Sequence, residues 1–339
     1  MASTTPELVC QRCGAPLTVT PETIVAICEY CGYPRILGST INPDEVLIVE
    51  SIGRDAAVGA FWKAVEADRD LRRLRSKIDL LEVEGFYVPA WIGRVMVDGV
   101  VEYIVRERRD NREYKRLVRE DISFQSGIGF CARRAAATFG ITDAIYYFLK
   151  TRERAKSQPL TEFPQEKWER VKLKVLNTEV DVSEVRERMC EDVADIVRSN
   201  YAHREVTYFR VYASLTEQPK LYLIPVWLAY YRYGEGTFRM ALAGWDGARV
   251  AASEPVTGLH RALYTLGVFG LIAISSFLGG VIAYNLRIGE SISVPAAIFT
   301  FLTIAAPFLS YLIVKGARVE RLYRKRVQAA RGTVIERTK

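Results

Sequence analysis

Two apolar runs, residues 263–284 and 292–314, constrain this chain more than any other part of it. The first holds 22 consecutive residues without a charge. As a helix rising about 1.5 Å per residue it would reach roughly 33 Å, just over the hydrocarbon thickness of a bilayer. Arg261 and Arg287 bracket the first run, Glu290 and Lys315 the second, and Tyr264, Tyr284 and Tyr311 stand near the ends, where amphipathic rings favour the interface. Helices buried in a soluble core seldom exceed about 10 to 14 unbroken apolar residues. Residues 262–314 are therefore expected to form a two-helix transmembrane hairpin. The connection 285–291 is short enough to make the helices antiparallel neighbours. Ser275, Ser276, Gly279 and Gly280 offer a small-xxx-small face, and Pro307 predicts a kink. Neither run has an internal ionisable residue, so no proton or ion path is marked.

Orientation follows from where the basic residues fall. Residues 315–339 carry nine Lys and Arg against Glu320 and Glu336, whereas the connecting loop has Arg287 alone. The positive-inside rule then makes this a basic cytoplasmic tail, and an even number of spans puts the N-terminal part on the same side of the cell membrane. The tail's nine positive and two negative charges equal the whole formal net charge of +7. Residues 1–262 are thus neutral overall, which argues against a broad nucleic-acid surface. Within the tail, Arg318, Arg321, Arg324, Lys325 and Arg326 flank Val319, Leu322, Tyr323, Val327 and Ala330 at helical spacing. That pattern predicts an interfacial helix on anionic lipid head groups.

At the other end, Cys10-Gln11-Arg12-Cys13-Gly14 and Cys28-Glu29-Tyr30-Cys31-Gly32 form two C-x-x-C-G knuckles separated by 14 residues. This is the spacing of a four-cysteine zinc ribbon, expected over residues 1–38 and holding one structural Zn2+ on Cys10, Cys13, Cys28 and Cys31. A reducing cytoplasmic face favours metal over disulfides. Between the knuckles, residues 17–20 and 24–27 are expected to pair around a Pro21-Glu22 turn. Arg12, Glu22, Glu29 and Arg35 sum to zero, so the ribbon suits a structural or protein-docking role better than nucleic-acid binding.

Between ribbon and hairpin the pattern is α+β. Residues 55–74 read as one amphipathic helix through Val58, Phe61, Trp62, Val65, Leu71 and Leu74. Strands are expected at 78–83, 87–97 and 100–106, with Asp98-Gly99 as a hairpin turn. The charge-dense stretch 106–119 mixes signs and reads as a solvated hairpin. Residues 126–131 lack a complete phosphate-loop motif and are expected to turn into a helix at 132–139, followed by one at 144–149 capped by Thr142 or Asp143. Residues 157–164, with two prolines, mark an internal boundary. A strand at 171–176, a helix from Ser183 to about residue 200, and strands at 206–215, 221–232 and 237–243 complete the reading.

Phe86-Tyr87-Val88-Pro89-Ala90-Trp91-Ile92 and Tyr222-Leu223-Ile224-Pro225-Val226-Trp227-Leu228 share a P-x-W core. The repeat suggests a duplicated α-plus-β unit with antiparallel sheets, residues 44–156 and 165–258, with each proline on an edge strand or bulge and each tryptophan covering the sheet. Trp91 and Trp227 as ligand-stacking residues is the sharper alternative.

The two knuckles, the segment from Ile224 to Tyr233, and Gly244-Trp245-Asp246-Gly247 leading to Glu254-Pro255 together resemble a family of archaeal and bacterial membrane proteins. Its members carry an N-terminal zinc ribbon, P-x-W strands and a C-terminal hydrophobic hairpin. Trp245 and Asp246 stand where the family has a turn of Asn-Gly-x-Thr-Gly type. The resemblance implies architecture and a metal site rather than an activity. His203 and His260 have no nucleophile or carboxylate at motif spacing, so no catalytic set is visible. The expected role is a membrane-anchored scaffold or adaptor for a protein partner, compatible with homo-oligomerisation. The alternatives are an accessory subunit of an integral membrane complex or transporter, and a membrane tether for nucleic acid or ribosomes.

Overall fold

A computed structural model describes residues 8–37, 41–109, 112–134, 139–171, 173–255, 266–270, 320–324, 329–330 and 333–336. The chain divides into two compact units, one of residues 1–232, 239–252 and 324–339, the other of 233–238 and 253–323.

The first unit is a mixed α/β body with a small cysteine-rich lobe. The lobe holds strands β1 (Val25–Ile27) and β2 (Pro34–Ile36). The body follows as β3 (Val46–Val49), α1 (Arg54–Ala67), α2 (Arg69–Leu74), β4 (Ile78–Arg109), β5 (Arg112–Cys131), α3 (Ile141–Thr151), β6 (Ser157–Pro159), α4 (Gln165–Val171), β7 (Lys174–Val175), α5 (Val182–Asn200), β8 (Glu205–Leu215), β9 (Lys220–Tyr233), β10 (Gly236–Ala243) and β11 (Arg249–Pro255). Beyond the apolar runs lie β12 (Glu320–Arg324), β13 (Ala329–Ala330) and β14 (Thr333–Ile335).

One sheet runs in the order β11-β10-β9-β4-β5-β14-β13. Strand β9 lies between β10 and β4 and is buried from Leu221 to Ala229, because both its faces are covered. Tyr222, Ile224, Val226 and Leu228 join Ile141, Ala144, Ile145 and Phe148 of α3 in one apolar cluster, while on the other face Tyr231 meets Phe61 of α1 at 5.4 Å between ring centroids. The P-x-W segments lie in adjacent strands of this sheet, so the two halves build one sheet rather than two. Nor is that sheet wholly antiparallel, since β3 runs parallel to β9 and β7 parallel to β4.

Neither proline is at an edge. Pro89 sits where β4 changes neighbours, between Tyr87, which faces Val175 of β7, and Ala90, which faces Cys131 of β5. Its missing N–H costs no ladder bond at such a junction. Trp91 and Trp227 are buried, as covering residues should be. Their indole N–H groups donate to the Val180 carbonyl at 2.9 Å and to Ser51 Oγ at 3.3 Å. Stacking on a ligand is thereby ruled out for both.

Several local expectations change. Asp98-Gly99 is no turn; β4 passes straight through it, and the hairpin with β5 closes beyond the Arg109–Arg112 pair instead. On the opposite side β8 pairs with β4 from Val95 to Ile104, making a three-stranded arm. Helix α5 covers one face of this arm with Val185, Met189, Val193, Ile196 and Val197. The helix expected over 55–74 breaks at Asp68, whose carboxylate accepts N–H bonds from Asp70 and Leu71 and so caps α2. Residues 126–131 continue β5 rather than turning into a helix. Gly129 lets α3 approach, since a Cβ there would lie 2.7 Å from Ile145 Cγ2. Helix α3 starts earlier than expected, after Gly140 at φ +81°, and α5 is capped by Asp181 rather than Ser183. The boundary expected at 157–164 contains β6, paired with β3. The turn at 244–248 is closed by Asp246, which accepts from the Ala248 N–H at 2.9 Å and from the Tyr147 hydroxyl at 2.8 Å.

The apolar runs fall outside the described residues except for 266–270, a helical turn on which Leu266 and Phe269 are exposed. Among the described residues no helix is long and apolar enough to cross a membrane. Of the five basic residues assigned to the membrane surface, Arg318, Lys325 and Arg326 lie outside the described residues, while Arg321 and Arg324 lie in β12. Residues 320–324 are therefore strand, not helix; so short a helical segment is marginal in water unless tertiary packing supports it. The end of the tail is no free appendage either. Thr333, Val334 and Ile335 are buried and pair antiparallel with Phe130, Gly129 and Ile128 of β5.

Candidate metal centre

The two knuckles fold as near copies of each other. In the first, the Cys10 N–H donates to the Ala15 carbonyl at 2.8 Å and the Gly14 N–H to the Cys10 carbonyl at 2.9 Å. In the second, Cys28 N–H donates to Tyr33 at 3.1 Å and Gly32 N–H to Cys28 at 2.9 Å. Gly14 and Gly32 take φ of +75° and +71°, the left-handed conformation that glycine adopts without penalty. Each knuckle closes on its own short pairing, Val9 with Pro16 and Ile27 with Pro34. The pairing expected between 17–20 and 24–27 is replaced by β1 with β2, because closing each knuckle on itself aims both its thiols inward. The turn at 20–23 does form, with the Thr20 N–H donating to Thr23 Oγ1 at 2.9 Å.

All four cysteines named from the spacing come together, with their Sγ atoms within 4.8 Å of one another. Cys10 and Cys31 are 3.6 Å apart at sulfur, as are Cys13 and Cys28. Tetrahedral sulfur ligation at about 2.3 Å from a metal requires sulfurs roughly 3.8 Å apart, so the cluster is the right size for one ion. The distances are far too long for disulfides, and all four thiols are free. Three are buried and Cys13 is exposed. Around the thiols lie Leu17 and Ala26, with Leu8, Ala15, Val19, Tyr33 and Leu37 packed against them.

The electrostatics are those of thiols crowded together. Burial opposes ionisation of Cys10, but N–H bonds from Cys13 and Arg12 and the neighbouring thiols outweigh it and bring its pKa down to about 7. Burial pushes Cys28 up, and pushes Cys31 up to about 12 with the help of the surrounding thiols. Cys10 thus ionises readily while Cys28 and Cys31 keep their protons until a cation arrives to balance the charge.

The lobe is seated on the body through the second knuckle. Trp168 of α4 donates its indole N–H to the Glu29 carbonyl at 3.1 Å. A Cβ on Gly32 would lie 2.8 Å from Trp168 Cδ2, so the ring rests flat on the knuckle. The indole also stacks on Tyr87 of β4, with ring centroids 6.1 Å apart and planes inclined by 7°. Alongside, the Ile24 N–H donates to the Thr178 carbonyl at 2.9 Å, and Arg134 reaches Glu22 at 3.8 Å. The knuckle spacing gave no sign of Trp168. A lone tryptophan in a short charged helix is a weak signal, and only the fold brings it to Gly32.

A second concavity of about 980 Å³ is lined by Arg94, Lys150, Arg152, Glu153, Glu217 and Glu336 among others. Its charges balance, and Arg152 is held by Tyr222, donating to the hydroxyl at 2.6 Å. It contains no histidine or cysteine. His203 is exposed and its Nε2 lies 3.4 Å from Arg204 Nε; His260 lies outside the described residues.

No protein-family model, curated protein or solved structure matches this chain.

Proposed function

We propose that this chain is a membrane-anchored cytoplasmic scaffold or adaptor, built as an α/β platform with a zinc ribbon and held at the bilayer by the hairpin of residues 262–314. On this reading it belongs with the membrane proteins that its knuckles and P-x-W strands resemble. The observation that carries the reading is that β11, before the apolar runs, and β14, after them, are strands of one sheet. Whatever crosses the bilayer between them must return to the side it left, as two spans do and one cannot. Exposed Leu266 and Phe269 in the one described turn of the first run support the same view, because side chains that face lipid need no protein cover. Zinc is the metal proposed, since four thiolates at tetrahedral spacing select soft, four-coordinate ions. The neutral charge of residues 1–262 favours a protein partner over nucleic acid, and basic residues near the second run suit anionic head groups.

Native membranes washed with alkaline carbonate test the anchor; the chain should remain in the pellet. Crosslinking before mild-detergent purification should join a protein neighbour to residues 1–260, and metal analysis should return one zinc per chain. Release by carbonate would reject the anchor, and repeated absence of any neighbour would reject the scaffold.

A further inference from the structure

We propose that the four-cysteine centre operates a latch: with metal bound, the second knuckle grips Trp168 and seats the ribbon on the sheet, and on metal loss the ribbon lets go while the sheet stays folded. The proposal rests on reading the four cysteines as a metal site.

The body and the ribbon hold Trp168 by different means. On the body, the indole stacks on Tyr87, a buried residue of the longest strand in the sheet. The segment that follows α4 is tied down independently. The Leu176 N–H donates to the Tyr87 carbonyl at 3.0 Å, the Glu179 N–H to the Ala132 carbonyl at 2.8 Å, and the Trp91 indole to the Val180 carbonyl. Leu173 packs under Gly85, where a Cβ would lie 2.3 Å from its Cδ2. None of these contacts involves the ribbon.

On the ribbon, the contacts to Glu29 and Gly32 depend on the knuckle keeping its shape. The Glu29 carbonyl and the left-handed Gly32 belong to the turn that aims Cys28 and Cys31 at the metal. The buried core of the ribbon is Cys10, Leu17, Ala26, Cys28 and Cys31, so three of its five members are metal ligands. Too little apolar surface remains to hold so small a lobe without its ion, and such modules commonly fold only when loaded. Two further ties to the body stand out among the described residues. The Ile24–Thr178 backbone bond continues into a single bridge from Val25 to Thr178, and the Arg134–Glu22 pair is solvent-exposed and contributes little. The plane of weakness therefore lies between Gly32 and Trp168, not between Trp168 and Tyr87. Opening there uncovers Trp168 and the Thr178 backbone, a surface closed while metal is bound, and makes access to it depend on metal supply.

The test uses the full chain in detergent, loaded with zinc and then stripped by a chelator, with metal content measured in each sample. Amide exchange at Ile24 should speed up by about tenfold or more on stripping, while Leu176 stays protected, and readdition of zinc should reverse the change. The emission contributed by Trp168, taken as the difference between the wild type and Trp168→Phe, should move to longer wavelength on stripping. Unchanged exchange at Ile24 after verified metal removal would overturn the latch, as would equal loss of protection at Leu176, which would mean that the sheet itself unfolds. A chain that takes up no metal would overturn the metal reading and the latch with it.

Discussion

Gly99 of β4 lies directly beneath the backbone of Arg210 in β8: a Cβ added to Gly99 would stand 2.3 Å from that carbonyl oxygen and 2.7 Å from Val211 Cα. The neighbours are main chain and cannot step aside as a side-chain tip can. Gly99→Ala should therefore push β8 away from β4 at the middle of the arm and cost about 1 to 3 kcal/mol, with Gly99→Val costing more. Thermal unfolding of the purified chain reads this directly. A variant as stable as the wild type would show that the arm relaxes around a methyl group.

That glycine also shows where sequence patterns mislead. Asp-Gly between apolar runs is a strong hairpin signal, yet the turn comes after Arg109, and Gly99 serves close strand packing instead. The same substitution of roles explains Gly129, which admits Ile145 of α3 rather than starting a turn. Local rules see one chain segment at a time; both glycines answer to a partner far away in sequence. The knuckles, by contrast, were legible because metal-ligand spacing, the following glycine and the closing bonds are all local. Strands β8, β9 and β10 were legible too, through alternation and β-branched content. Trp168 and the return of β14 to the sheet were not, since each depends on a long-range docking that leaves only a weak periodic trace.

Asp68 joins two jobs. It caps α2 through the Asp70 and Leu71 N–H groups and holds Arg249 at 3.2 Å. Burial works against its ionisation, but these N–H bonds and Arg249 prevail and hold the carboxyl below its ordinary value. A carboxylate with a depressed folded pKa stabilises fully above the unfolded value of about 3.9, and that contribution is lost as pH falls through the folded value. Asp68→Asn keeps part of the cap but removes the charge. It should lower stability by about 1 to 2 kcal/mol at neutral pH. The gap to the wild type should close below pH 4, as chemical denaturation across pH would reveal. A gap independent of pH would mean that the ion pair contributes nothing.

The C-terminal strand is fastened by a buried hydrogen bond from the Thr333 hydroxyl to the Asp192 carboxylate of α5. Thr333→Val keeps the volume but removes one hydrogen-bond donor from that buried carboxylate. The cost should be about 1 to 3 kcal/mol. Thr333→Ser keeps the donor and should recover most of it. Differential scanning calorimetry on both variants checks this, and equal stability of the two would remove the hydrogen bond from the account. The comparison also probes the pairing of β14 with β5, since Thr333 lies in that strand.

Metal binding by the four thiols should be strongly pH-dependent, and the direction is set by where their protons are held. Occupancy requires thiolates. At neutral pH, Cys28 and Cys31 carry protons that a metal must displace, whereas Cys10, near 7, is partly ionised already. Each proton displaced makes the apparent affinity fall as pH falls, and below about pH 7 Cys10 adds its own proton to the competition, so the slope steepens there. Competition with a chromophoric chelator between pH 6 and 8 should show this curvature, and an affinity flat across that range would contradict it. The ligands should also differ. Cys28 is wholly buried and Cys13 exposed, so water can take the vacated position at Cys13→Ser more readily than at Cys28→Ser. The first variant should keep a weakened, water-accessible site, while the second should bind metal about tenfold or more weakly still, because a buried serine hydroxyl is a poor ligand with no route for solvent to replace it.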